Sequence, residues 1–158
     1  MGAALRRRHQ ILIHHSLRRR LERLGRERIG FGQLFAEAMR TLSLEPARPP
    51  IRRMGGIQDP HWRRSIRRVW IGGRQGYRMI YLLVEEHERV LPVYLSPVTR
   101  AEGFDYSPKL WHEAYHAIFG HYQADTHEFG QDAGRYRHFV TWPLDNGPPN
   151  LVPDPGAE

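Results

Sequence analysis

Along the stretch GYRMIYLLV, side chains alternate with the two-residue period of a strand. Tyr77, Met79, Tyr81 and Leu83 share one face, and Arg78, Ile80, Leu82 and Val84 the other. Two similar runs flank it, RSIRRVWIG before and RVLPVYLSPV after, and the polar link EEHER between the second and third suits a hairpin. Upstream the period changes. Leu17, Leu21 and Leu24 recur at helical spacing, then Leu34, Phe35, Ala38 and Leu42 do so in a second run that Pro46, Pro49 and Pro50 end. Before both, Ile11, Leu12 and Ile13 suggest a first strand, with Ser16 as the cap of the helix that follows. After the strands, Ser107 as N-cap and Pro108 at the first helical position open a third helix, with Leu110, Trp111, Ala114, Tyr115, Ile118 and Phe119 as its apolar stripe.

From about Thr126 the pattern dissolves, and WPLDNGPPNLVPDPGAE is too rich in Pro and Gly for a regular element. The chain therefore divides into a folded domain over 9–125 and an irregular, flexible extension over 126–158. The order strand, helix, helix, three strands, helix predicts an α+β domain. Its two N-terminal helices pack on a small, mainly antiparallel sheet, and a C-terminal helix and irregular tail follow.

Composition narrows the functional classes. The 158 residues carry 40% hydrophobic and 26% charged residues, ordinary for a soluble domain, and no apolar run is long enough for a membrane helix. No signal-peptide core follows the basic N-terminus, and the absence of cysteine excludes disulfides and thiolate chemistry, so a cytoplasmic location is expected. A net charge of +7, almost all of it arginine since Lys109 is the one lysine, points to a polyanionic partner. The runs RRR at 6–8 and 18–20 read as solvated basic faces.

The segment GYRMIYLLVEEHERVLPVYLSPVTRAEGFDYS, with Arg100 and then Tyr106 six positions on, resembles the C-terminal half of RelE/ParE-superfamily toxins. It is most similar to the RelE and HigB mRNA interferases of type II toxin–antitoxin systems. The resemblance covers roughly His9 to Leu110 and implies a RelE-like arrangement of the α+β domain. It also implies ribosome-dependent mRNA cleavage: the ribose 2'-OH attacks the adjacent phosphate, no cofactor is needed, and translation stops. Carried over residue by residue, Arg78, Arg100 and Tyr106 surround the scissile phosphate and the preceding-strand base falls on Arg67 or Arg68, of which at most one faces the site without a bulge; Arg67, Arg68 and Arg74 are the expected RNA-binding residues. The implied partners are the ribosome, mRNA and a cognate antitoxin, with no membrane involved. A ParE-like inhibitor of gyrase uses the same scaffold and is one alternative.

Guanidiniums stabilise charge on a phosphorane, but arginine is a poor base, so proton transfer falls to Tyr106 or to one of His61, His112 and His116. The second alternative rests on HEAYH. His112 and His116 lie one helical turn apart, as Zn²⁺ ligands of a metalloprotease do, with Glu113 as base. Its third ligand would come from Asp125, His127, Glu128 or Asp132.

Overall fold

The computed structural model describes residues 8–49, 66–73, 76–99, 103–104, 108–129 and 137–144. Strand β1 (Gln10–His14) leads into helices α1 (His15–Glu27) and α2 (Phe31–Leu44). Strands β2 (Ile66–Ile71), β3 (Tyr77–Val84), β4 (Arg89–Thr99) and β5 (Gly103–Phe104) follow, then helix α3 (Pro108–Phe129) and strand β6 (Phe139–Thr141). The sheet runs in the order β2-β3-β4-β1-β6, with β5 added on β4. Among the described residues the β1–β4 pairing is parallel and the others are antiparallel.

The expected α+β class is what the chain adopts, yet the arrangement differs from expectation at its end. The helix does not give way near Thr126 but continues to Phe129, and Phe139–Thr141 returns to the sheet as β6. An irregular stretch beginning at 126 is thus corrected at two points. Strand β6 is tied in by Trp142, whose N–H donates to the Ile11 carbonyl at 2.8 Å, while His15 N–H donates to the His138 carbonyl at 3.0 Å. The Ser16 cap is corrected too. The N-cap of α1 is His14, whose Nδ1 accepts from the Ser16 N–H at 3.2 Å.

Two cores lie on opposite faces of the sheet. On one, Leu17, Leu21 and Leu24 of α1 and Phe31, Phe35 and Met39 of α2 pack on Ile11, Ile13, Met79, Tyr81 and Leu83. On the other, Trp111, Tyr115, Ile118 and Phe119 of α3 pack on Leu12, Ile66, Ile80, Leu82 and Val84. The period-two pattern of β3 therefore meets an apolar layer on each side, which explains why six of its last residues in a row are buried.

Strand β4 needs one adjustment to serve both cores. Its register with β3 pairs Tyr81 with Pro92 and Ile80 with Tyr94, which leaves Val93 as an extra residue in a bulge. Pro92, which cannot donate to a ladder, stands at this irregularity of a central strand.

Tyr81 closes the joint between sheet and connector. Its fully buried hydroxyl donates to the Pro46 carbonyl at 2.6 Å, and burial raises its pKa well above that of an ordinary phenol, with Arg67 opposing. Tyr81→Phe is expected to destabilise by about 1–2 kcal/mol because it orphans that carbonyl, and urea unfolding measures the loss. An unchanged midpoint would mean the carbonyl finds water instead.

Candidate functional site

Cross-strand register decides which of the expected arginines share a face. Arg78 pairs with Trp70 on β2 and with Ser96 on β4, and Arg68 pairs with Ile80. By alternation Arg68, Trp70, Arg78 and Ser96 lie on the α3 side of the sheet. The Arg78 guanidinium stacks on the Trp70 ring at 4.0 Å, a cation–π contact that fixes the plane of the fork. Both arginines are half-buried.

Arg67 is different. It pairs with Tyr81 on the opposite face, and its guanidinium donates to the carbonyls of Ala47, at 3.0 Å, and of Pro49. It pins the chain after α2 and does not share the face of Arg78. The physical reason is the strand period: adjacent residues cannot face the same side without a bulge, and β2 and β3 pair without one. Arg74, Arg100, Tyr106 and His61 lie outside the described residues.

Helix α3 carries two of the candidate histidines, His112 and His116. The Tyr122 hydroxyl meets His87 Nδ1 at 2.6 Å and accepts from Arg89 at 3.2 Å, which places the C-terminal half of α3 at the start of β4. Leu110 and Ala114 share a small cavity with Val93 and Tyr94, further along β4. The helix therefore runs antiparallel to β4 and parallel to β3. Phe119, Gln123 and Thr126 line a cavity of about 330 Å³ with Val84 and Glu86, so this flank of α3 faces β3. His112 and His116 stand on the same flank two turns earlier. Leu110 and Ala114 stand against Val93 and Tyr94, and Tyr94 pairs with Ile80, so the first turns of α3 lie over the middle of the β3–β4 pair. His112 is half-buried against Trp111, ring centroids 4.1 Å apart, and His116 is exposed.

The same geometry locates the described residues of the metal alternative. His112 and His116 share a flank with centroids 6.4 Å apart, but Asp125 is nine positions past His116, half a turn around the helix. Asp125 is buried and binds His138 instead. The side chains of His127, Glu128 and Asp132 lie outside what is described. Among the described residues, no group of three His, Asp or Glu side chains is arranged to hold a metal ion.

Comparison with protein families, with curated proteins and with solved structures finds no match. The site therefore rests on its own residues. No helix among the described residues is long and apolar enough to cross a membrane.

On the other flank of α3 lies an arrangement that the sequence patterns did not single out. His14 from β1, His121 and Asp125 from α3 and His138 before β6 converge, with His15 at their edge. His14 Nδ1 accepts from Ser16, so its proton sits on Nε2, which donates to His121 Nδ1 at 2.8 Å. His138 turns its Nδ1 to the Asp125 carboxylate at 2.9 Å, and its backbone N–H donates to the same oxygen at 3.1 Å. The His121 and His138 rings stack at 3.9 Å. Burial, then the neighbouring imidazoles, lower the pKa of His14 to about 3; burial also lowers that of His121. Both rings stay neutral at physiological pH. The only sequence signal was the His14–His15 doublet, because the partners come from residues over 100 positions away.

Proposed function

We propose that the protein is the toxin of a type II toxin–antitoxin pair, an endoribonuclease of the RelE/HigB kind that cuts mRNA on the ribosome. The observation that carries it is the shared face of Arg68, Trp70 and Arg78 on the side of the sheet that α3 covers, with His112 and His116 on one flank of that helix. Its support from the fold is the order strand, two helices and antiparallel strands, which that family also has.

The chemistry follows from the groups. The ribose 2'-OH attacks the adjacent phosphorus as the bond to the 5'-oxygen breaks, leaving a 2',3'-cyclic phosphate and a 5'-hydroxyl. Arg78, held flat on Trp70, offers a preorganised fork to the charge on the phosphorane oxygens, and Arg68 holds the neighbouring backbone. His112 exchanges the proton that arginine cannot, which answers the want of a base on the strands. By the resemblance, Arg100 and Tyr106 join them. The basic surface suits both ribosomal RNA and an acidic antitoxin segment.

Induced in a bacterial host, the wild-type chain is expected to arrest growth and to leave mRNA cut within codons. Arg78→Ala should relieve the arrest and lower single-turnover cleavage about 10²- to 10³-fold, the usual loss for one aimed donor. His112→Ala should lower it about 10²-fold or more. Full toxicity in a folded Arg78→Ala protein would overturn the assignment, and DNA damage without mRNA cleavage would favour the gyrase alternative.

A further inference from the structure

The histidines on the second flank of α3 are more numerous than packing requires. His14 and His121 are the inner pair, neutral and bonded to each other; His15 and His138 are the outer pair, exposed and half-exposed. The outer rings lie 6.0 Å apart, centroid to centroid, and are tied at the backbone by the bond from His15 N–H to the His138 carbonyl. Asp125 holds the Nδ1 proton of His138, leaving Nε2 as the other ring nitrogen of a side chain that is 26% exposed. His121 stacks beneath His138 and sets the plane of its ring, while His14 sets His121. Two arginines stand near the pair in sequence. Arg19 stands one turn beyond His15 on the same face of α1, and Arg137 precedes His138; both are exposed.

We propose that His15 and His138 form a second catalytic site, an acid–base pair that cleaves single-stranded RNA without the ribosome. It does not depend on the arginine face. Neutral His15 takes the proton of a ribose 2'-OH as that oxygen attacks the adjacent phosphorus. His138, protonated on both nitrogens, gives its Nε2 proton to the departing 5'-oxygen. The bond from phosphorus to the 5'-oxygen breaks, and the products are a 2',3'-cyclic phosphate and a 5'-hydroxyl. The pair ends with its protons exchanged, and solvent resets it, so no metal, oxidant or other reactant enters.

Asp125 is a positioning residue: it fixes the tautomer and orientation of His138 and faces its charge. A phosphoryl group is wider than the present gap between the rings, so His15 opens by a side-chain rotation that its exposure permits. The arginines supply attraction for the backbone of a single strand and make it dependent on salt.

The test uses the full chain and a short fluorogenic RNA oligonucleotide in the absence of ribosomes. Wild-type protein should release a 2',3'-cyclic phosphate with a bell-shaped pH profile, the signature of one acid and one base. The groups facing the pair are His14, Ser16 and Arg19 from β1 and α1, His121 and Asp125 from α3, and Arg137. His15→Ala and His138→Ala should each lower the rate about 10²- to 10⁴-fold. His15→Gln, at an exposed position, guards against loss of folding. Asp125→Asn should lower the rate and change the shape of the pH profile, which a merely structural role would not. Glu37→Gln, an exposed change on α2, should leave this activity unchanged. Absence of cleavage by the wild type, or full activity in His15→Gln and His138→Ala, would overturn the proposal. Loss of ribosome-dependent cleavage with this activity intact would overturn only the function assigned to the arginine face.

Discussion

Trp111→Ala is expected to lower the stability of the protein by about 3–5 kcal/mol, the usual range for deleting a large buried aromatic side chain. Trp111 is only 1% exposed and anchors the first turn of α3 in the core that includes Ile66, Ile80 and Leu82. Removing the indole leaves a cavity between a helix and a sheet, where neither partner collapses without breaking its own hydrogen bonds. The effect reaches further than stability. One flank of α3 carries His112 and the other His121 of the histidine array, so a loosened first turn disturbs the placement of both. Urea unfolding followed by far-UV circular dichroism measures the cost, and Trp111→Phe should recover most of it. A loss below about 1 kcal/mol would mean that α3 is not docked as described.

Acidification is expected to cause a loss of similar size. His14 titrates near 6.5 in the unfolded chain and at about 3 in the folded one, so the unfolded state binds the proton first as pH falls. Its contribution is complete above pH 6.5 and is lost progressively from there down to about pH 3. At 1.36 kcal/mol per pH unit, His14 alone removes about 3 kcal/mol by pH 4, and His121, lowered by its own burial, adds to this. The largest cause at His14 is desolvation, followed by repulsion from His15, His121 and His138, with Asp125 opposing. His14→Gln should flatten the dependence between pH 6.5 and 4 at the expense of stability near neutrality. Hydrogen exchange should show the backbone bonds from His15 to His138 and from Trp142 to Ile11 failing first on acidification. A stability curve as steep in His14→Gln as in the parent would refute this origin.

Local periodicity carried most of the fold. Strand β3, helix α2 over Phe31–Leu44 and the link between β3 and β4 stood out because each repeats its pattern over several residues or ends in a marked turn. Strand β6 did not, since three residues among Pro and Gly show no period, and its pairing with β1 is set by partners far away in sequence. The site divides the same way. Arg78 could be seen because a charge interrupted an apolar face, and its adjacency to Trp70 needed only register. That Arg67 turns to the opposite face could be expected for one of two neighbours, but which one depended on the pairing of Tyr81. The histidine array was illegible, as its members are scattered singly or in a doublet and meet only when α3 crosses β1.

Strand β1 sits between β4 and β6, one partner made midway through the chain and the other near the end of the described residues. During synthesis its outer edge therefore stays open while everything from His14 to Phe139 is translated, on the order of 10 s at typical elongation rates. Over that interval the helical hairpin and the β2–β3–β4 meander are already available to fold, whereas His138 does not yet exist beside His15. A nascent chain would carry the arginine face before it carried the histidine pair. The order of manufacture thus gives the two sites different birthdays, and a stalled or truncated product would possess the first without the second.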